Sequence, residues 1–458
     1  MLRRDFLGMG LAMTAAGCTA TKGQSSPARV EGRVGEEWAM AKGKTGTPTP
    51  RGLELLQEAK LQIANHRRVS STILASQQGK VLPAGTQLDY YIQNHHFDWG
   101  FSHPYQPFEM HNPLDAERAE AYKGIFNTTT LKCYWAERWH QPIELQEGKR
   151  IYTQFDAEKA WAMAQGMRMK GHPLVWILGK AIPKWVQQKP LAAQQALLEG
   201  HIAAMLQHAG PEVQMWDFVN EALWEVPLSG LPTRNWPAIT PPNQIAQYLL
   251  PLERIARQVR PNAILTINDY GYERTYRPEI TALRQRERCI ELIRHCQDLH
   301  VKIDAIGTQA HVGEPYSIEE FADSLAHLST AGLPLQITEF WVQPEAWQSQ
   351  DAMAEYLTNM LTLAFGSPAV QHLTYWGGPS NLFKANTAQP STVLKVYKQL
   401  VAGQWHSKGT ATVQADGTAK IDGYMGQYAL SIADSPKGEG QAPATFQLLD
   451  SAPIHITL

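Results

Sequence analysis

At residues 214–221 the sequence is QMWDFVNE, a largely apolar and aromatic run that ends in an amide and a carboxylate. A short run of this kind is typical of a strand that is buried on both faces of a sheet. Seven further runs have the same pattern, each followed by a polar stop and an amphipathic stretch of helical length, at residues 96–102, 126–132, 168–176, 263–270, 303–311, 335–342 and 370–377. Eight such strand-helix units predict an α/β fold of the (β/α)8 TIM barrel type.

An open, doubly wound sheet is the competing architecture. Such a sheet binds phosphate through a Gly-x-Gly-x-x-Gly turn after an early strand, and the sequence contains no such turn. The composition is that of a folded chain, since 43% of the residues are hydrophobic and 18% are charged. The formal net charge of -2 provides no positive field for a polyanion, so we expect no nucleic-acid partner.

Residues 1–18 resemble an export signal. Arg3 and Arg4 precede an apolar run that is too short to span a bilayer, which is the layout of a twin-arginine secretory signal. Residues 15–18, AAGC, resemble a bacterial lipoprotein cleavage site, in which Cys18 would carry a lipid anchor to a membrane. Cleavage at a small residue with Cys18 incidental is the alternative. We expect an exported protein that is periplasmic or lies at the cell surface.

Three other segments flank the barrel, which we place at residues 95–402. Residues 19–51 are rich in Gly, Ser, Thr, Pro and Lys, a composition that predicts a flexible tether. Residues 52–94 predict an N-terminal lead-in, a helix with short strands, that packs on the barrel. Residues 403–458 alternate as strands around an Asp-Gly turn and predict a small β module. A structural cap is the favoured role of this module, and sugar binding is the alternative.

Polar residues directly follow several predicted strands. The carboxyl ends of barrel strands open into one bowl, so Glu221 and Glu339 would face the same substrate. Glycosidic cleavage needs two carboxylates, because one protonates the leaving oxygen while the other attacks the anomeric carbon or activates water. Asn220 would bind a sugar hydroxyl, and Gln309 and His311 would orient the carboxylates. Each residue taken singly is also explained as a polar strand end satisfied by a loop; the glutamate pair is less easily explained in that way.

The sequence resembles the family 10 glycoside hydrolases, best known as endo-β-1,4-xylanases, in six stretches that follow the family order: GHPLVW at 171–176, WDFVNEA at 216–222, INDY at 267–270, IDAIGTQAH at 303–311, LPLQITE at 333–339 and YWG at 375–377. The resemblance implies a (β/α)8 barrel and hydrolysis with retention of configuration. It implies Glu221 as the acid and base and Glu339 as the nucleophile. It further implies that Asn220, Gln309 and His311 lie next to the reacting sugar.

The sequence departs from this family at positions that hold the sugar. The second strand of the family usually ends in Glu-Asn with Lys and Trp following, whereas residues 131–135 here are LKCYW. Ile177 stands where the family usually has a His beside the cleaved bond, which changes the hydroxyl pattern that is tolerated. Phe340 and Trp341 replace the usual Leu-Asp, so we expect His311 to lack its customary carboxylate neighbour.

Four further residues complete the predicted substrate-binding set: Lys132, His172, Trp176 and Trp376. A core position is the alternative for the two tryptophans. The leading hypothesis is an exported, retaining, endo-acting β-glycosidase that acts on xylan or a related plant polysaccharide and needs no metal or organic cofactor. The alternatives are a surface glycan-binding lipoprotein that has lost turnover and a hydrolase of a different β-glycan.

Overall fold

The structure, a computed structural model, describes residues 48–102, 113–136, 141–224, 240–276, 278–313, 315–433 and 443–458. The predicted export signal, the lipid anchor at Cys18 and almost all of the predicted tether lie outside these residues. Among the described residues, no helix combines the length and the apolar character that crossing a membrane requires.

The described strands are, in chain order, β1 (Arg68–Gln77), β2 (Lys80–Val81), β3 (Gln87–His95), β4 (Asp98–Ser102), β5 (Thr128–Lys132), β6 (Arg168–His172), β7 (Val175–Trp176), β8 (Val213–Asn220), β9 (Ile264–Asp269), β10 (Ala305–Thr308), β11 (His311–Val312), β12 (Leu335–Val342), β13 (Val370–Tyr375), β14 (Lys408–Thr412), β15 (Thr418–Tyr424), β16 (Gly426–Ile432), β17 (Ala444–Leu448) and β18 (Ile454–Thr457).

The described α-helices are α1 (Pro50–His66), α2 (Pro113–Tyr122), α3 (Thr153–Ala164), α4 (Lys184–Gln187), α5 (Leu191–Ala209), α6 (Pro242–Val259), α7 (Ala282–Asp298), α8 (Ile318–Ser329), α9 (Gln350–Gly366), α10 (Pro379–Leu382) and α11 (Thr392–Gln399). Several begin at a residue whose side chain satisfies a free N–H of the first turn, as Ser317 does for α8 by accepting from Glu320.

Eight parallel strands close into a barrel, which confirms the predicted fold class. They run in chain order from β4 through β5, β6, β8, β9, β10 and β12 to β13, and β13 pairs with β4 to close the circle. Seven of the eight predicted runs contain one of these strands, and the run at 214–221 overlaps β8, which begins one residue earlier at Val213. All five residues of β5 are buried, as expected for a strand that has side chains of the barrel interior on one face and helices on the other.

Strands from the two ends of the described chain form two shared sheets beside the barrel. β1 lies between β15 and β18, with Ile73 opposite Ala419 in the antiparallel pair. β3 lies between β14 and β16, and β17 pairs with β16. Fully buried residues such as Leu88 and Tyr428 come from both ends of the chain. The sequence predicts the lead-in and the C-terminal β module as two segments, whereas in the structure backbone hydrogen bonds join them. The sequence patterns also did not indicate β17.

Candidate active site

Glu221 lies directly after β8 in an uncommon backbone conformation. Its φ is 59°, in the left-handed region that residues with a side chain seldom adopt and that recurs at functional sites. Its N–H donates to the carbonyl of Asn268 at 2.7 Å, which ties this turn to the end of β9. Trp176 Nε1 donates to Glu221 Oε2 at 3.0 Å, and Gln309 Nε2 donates to Oε1 at 3.2 Å. Side chains from two other strand ends therefore hold this carboxyl group.

Glu339, on β12, is 6% exposed and also has two side-chain partners. Asn268 Nδ2 donates to its Oε1 at 2.8 Å, and the ring Nε2 of His311 lies 3.0 Å from its Oε2. Burial alone would raise the pKa of Glu339, but the hydrogen bond from His311 and the neighbouring His172 outweigh burial and hold the pKa below its ordinary value. The Glu339 carboxyl group is therefore ionised at neutral pH.

The amide of Asn268 links the two strand ends that carry Asn220 and Glu339. Its Nδ2 donates to Asn220 Oδ1 at 2.8 Å as well as to Glu339, and its Oδ1 accepts from the hydroxyl of Thr338. The sequence places Asn268 in the INDY stretch at the end of a predicted strand but does not single it out as a site residue. Its place at the end of an apolar strand was the available signal.

Asp269 fixes the segment that follows Glu221. Its Oδ2 accepts from the N–H of Leu223 at 2.8 Å, and its Oδ1 accepts from the N–H of Tyr270 at 2.9 Å. Burial raises the pKa of Asp269 well above its ordinary value; the two backbone hydrogen bonds oppose this, and the nearby Glu221 adds to it. Burial and the charge of Glu221 therefore both favour the protonated form of Asp269.

Aromatic rings and a buried lysine form the other side of the bowl. The ring of His172 lies 4.9 Å from that of Trp376 and 5.5 Å from that of Tyr134, measured between centroids. The Tyr134 ring in turn lies 5.8 Å from that of Trp176. Lys132 Nζ lies 5.2 Å from the centre of the Trp376 ring, within cation–π range. Burial lowers the pKa of Lys132 to about 8, although the charges of Glu158 and Glu339 act in the opposite direction.

The structure brings all nine predicted site residues into one network of hydrogen bonds and ring contacts: Glu221, Glu339, Asn220, Gln309, His311, His172, Trp176, Trp376 and Lys132. Their individual roles remain predictions. Tyr134 is a member of the network that the sequence did not indicate, because it follows a strand at which the family pattern is lost.

His311 has a different set of neighbours from the family pattern. Trp341 occupies the position that the family usually fills with Asp, and its ring centroid lies 6.5 Å from that of His311. A carboxyl group from another segment, Glu273, interacts electrostatically with His311. Burial raises the pKa of Glu273, whereas its hydrogen bond from Thr308 and the charge of His311 lower it. His311 therefore contacts Glu339 on β12 and interacts electrostatically with a second carboxyl group from the segment after β9.

Comparison with known families identifies the barrel. A model of Glycosyl hydrolase family 10 matches residues 110–382, more than half of the chain. Endo-1,4-beta-xylanase B of Thermotoga neapolitana is 28% identical over 272 residues, which cover 57% of this chain and 73% of that protein.

A second relative matches more of the chain. The anti-sigma-I factor RsgI6 of Acetivibrio thermocellus is 21% identical over 414 residues, which cover 86% of this chain. The match spans half of the length of RsgI6.

Solved structures share the fold. Xylanase 10B from Thermotoga petrophila, determined in complex with xylobiose, superimposes with a TM-score of 0.52 and 21% sequence identity. The superposition covers 69% of this chain and 94% of that chain. At this identity the likeness shows the barrel fold alone.

Proposed function

Because the chain belongs to glycoside hydrolase family 10, we propose that it cleaves β-1,4 linkages in xylan or a related plant polysaccharide with retention of anomeric configuration. The observation that carries this proposal is that the two glutamates of the site, Glu221 and Glu339, have different hydrogen-bond partners. Glu339 accepts from Asn268, and its contact with His311 lowers its pKa and holds it ionised, while Glu221 accepts hydrogen bonds from two neutral groups, Trp176 Nε1 and Gln309 Nε2. One group is thereby suited to nucleophilic attack, and the other to proton transfer.

In the proposed mechanism, protonated Glu221 gives its proton to the glycosidic oxygen as the bond to the anomeric carbon breaks. Glu339 attacks that carbon and forms a covalent glycosyl-enzyme ester. Glu221, now ionised, takes a proton from water as the water attacks the same carbon and releases Glu339. Asn220, held by Asn268, is placed to bind the sugar 2-hydroxyl, an interaction that strengthens as positive charge develops on the ring.

The xylan assignment is supported by the name of the Thermotoga neapolitana relative, a β-1,4-xylanase. The altered residues beside the bowl, Ile177 and the Lys132 segment, favour a substrate with a different hydroxyl or side-chain pattern from plain xylan. We also propose export through the twin-arginine signal to the periplasm or cell surface, with a lipid on Cys18. Replacement of Cys18 by Ser and fractionation of the cells would test the anchor.

A second candidate function is glycan sensing without turnover. It is favoured by the relative RsgI6, named as an anti-sigma factor, whose match covers 86% of this chain. Such a binder would keep the barrel bowl as a recognition site. The presence of both Glu221 and Glu339 favours hydrolysis.

Incubation with a panel of xylans, glucans and mannans tests these proposals. We expect soluble oligosaccharides from a β-1,4-linked polysaccharide, and proton NMR of the first product should show the β-anomer, because double displacement retains configuration. An α-anomer formed first would contradict the mechanism. Retardation in an affinity gel without sugar release would favour the sensor. Glu339→Gln serves as the inactive control that keeps the shape of the site.

A further inference from the structure

A buried polar layer lies inside the barrel, one step before the candidate active site along the strands. Lys170 precedes His172 by two residues on β6, so the two side chains lie on the same face of the strand. The Lys170 side chain is 1% exposed, and its Nζ lies 2.6 Å from Asp217 Oδ1. Nζ also donates to Gln336 Oε1 at 2.7 Å, and that oxygen accepts from the Thr266 hydroxyl at 3.1 Å. Strands β6, β8, β9 and β12 are thereby joined through the barrel interior.

Asp217 connects this layer to the site. Its Oδ2 lies 2.8 Å from His172 Nδ1. An ionised carboxylate only accepts hydrogen bonds, so Nδ1 of His172 carries the proton. Nε2, on the other side of the ring, remains available for a hydrogen bond in the bowl. The His172 ring packs against Trp376 and lowers the pKa of Glu339. The orientation and tautomer of His172 therefore depend on the charge of Asp217.

We propose that Lys170 is a positioning residue for the hydrolysis. Lys170 pairs with Asp217 and keeps it ionised, and ionised Asp217 fixes the tautomer of His172 beside the sugar bound at Glu339. The inference rests on the proposed function, because it assigns Lys170 a part in that reaction. The Lys170 side chain is buried below the bowl, where Nζ lies against Asp217 and Gln336. Its effect passes through one carboxylate and one imidazole.

The charged groups around Asp217 determine the direction in which its pKa shifts when Lys170 is replaced. Burial would raise the pKa of Asp217, but the charge of Lys170 and the hydrogen bond from His172 hold the pKa below its ordinary value. Among the described residues, other ionisable groups that interact with Asp217 include Cys133 after β5, Glu339 on β12 and His372 on β13. Without Lys170, burial and the negative charge of Glu339 would raise the pKa of Asp217, and the group would take up a proton at a higher pH.

The test compares Lys170→Met with Lys170→Arg in the full chain, on an aryl β-xyloside over about pH 4 to 9. We expect Lys170→Met to lower kcat roughly 10- to 100-fold, the range for groups that orient a functional residue through another. The acid limb of its pH–activity profile should move to higher pH, because activity then requires Asp217 to lose a proton. Lys170→Arg keeps the charge and should restore both kcat and the acid limb. The matched control is Gln336→Met, which removes the uncharged partner of Lys170 and should leave the acid limb in place.

The outcomes separate this inference from the proposed function. No hydrolysis by the wild-type protein on any β-glycan contradicts the proposed function. An active wild type with the same acid limb in Lys170→Met contradicts the positioning role. If Lys170→Met does not fold, nitrogen-15 NMR of histidine-labelled wild type decides. We expect His172 to carry its proton on Nδ1, and a proton on Nε2 alone overturns the inference.

Discussion

The ends of β8, β9 and β12 differ from the ends of β5 and β13 in how they hold their side chains. At the first set, Glu221, Asn268 and Glu339 are held by directional hydrogen bonds of 2.7 to 3.2 Å. At the second set, the ammonium group of Lys132 lies over the ring of Trp376 at 5.2 Å, a cation–π contact. Hydrogen bonds fix the positions of atoms closely, whereas ring contacts tolerate different sugar faces. The difference indicates that the reaction chemistry and the choice of sugar depend on separate parts of the bowl.

The largest expected effect is that of Glu339→Ala, which removes the proposed nucleophile. We expect kcat to fall at least about 10⁴-fold, as for other enzymes that lose a nucleophile. Added azide should restore part of the activity by entering the vacated space, and the product should be a glycosyl azide of inverted configuration. The measurement is the rate of aryl glycoside hydrolysis with and without azide.

The matched control is Glu345→Ala, at an exposed carboxylate six residues further along the chain. It should leave the rate unchanged. Full activity of Glu339→Ala would show that Glu339, and with it the hydrogen-bonded ends of β8, β9 and β12, does not carry out the reaction.

The second effect concerns Glu221→Gln, which keeps the hydrogen-bonding shape but cannot transfer a proton. We expect hydrolysis of polysaccharide to fall about 10²- to 10⁴-fold, the contribution of general acid catalysis. A dinitrophenyl glycoside needs no protonation of its leaving group, so its glycosyl-enzyme should still form and accumulate as a burst. Equal losses on both substrates, without a burst, would speak against the acid role.

The third effect is a pH shift from His311→Ala. The pKa of Glu339 lies below its ordinary value, so activity is present above that pKa and is lost as the pH falls through it. Removal of the His311 hydrogen bond leaves burial to dominate, and the acid limb of kcat/KM should move to higher pH. We expect kcat/KM at neutral pH to fall about 10- to 100-fold, the value of a hydrogen bond to a charged group.

His455→Ala, at an exposed site on β18, is the control for the loss of a histidine. An acid limb at the wild-type pH in His311→Ala would show that another group sets the charge of Glu339.

The smallest expected effect concerns the choice of sugar, which we assign to the part of the bowl that is held by ring contacts. Ile177→His restores the residue that the family usually carries and adds a hydrogen-bond donor directly after Trp176, whose ring contacts Glu221. We expect the ratio of kcat/KM between xylan and glucan to rise about threefold to tenfold, since one added polar contact discriminates weakly. Ile151→His, at an exposed position, should leave the ratio unchanged. A large fall of kcat on both substrates would show that the two regions are not separable.

The sequence predicted the barrel strands well because burial on both faces leaves a local signature. All eight apolar runs, including 214–221, coincide with a barrel strand to within one residue at its start or contain it. The sequence also indicated Glu221 and Glu339, since polar residues at strand ends are unusual against the apolar runs before them. It did not indicate Asn268 as a link between Asn220 and Glu339. Such links join residues 48 and 71 positions apart, and no local pattern encodes that separation.

The same limit applies outside the bowl. The lead-in and the C-terminal strands were recognised by their own alternation, but their pairing depends on contacts across more than 300 residues, as between Ile73 and Ala419. The Lys170 and Asp217 pair was also not predicted, because each residue looks like an isolated polar member of an apolar strand.

The amino-acid sequence by itself determined the order of strands and helices, the class of fold and the presence of two strand-end glutamates. These follow from periodicity and residue type, which act over a few neighbouring positions. The tertiary structure alone decided which side chains meet. Barrel closure sets the register between strands, and register determines that Asn268 reaches both Asn220 and Glu339 and that Lys170 lies against Asp217.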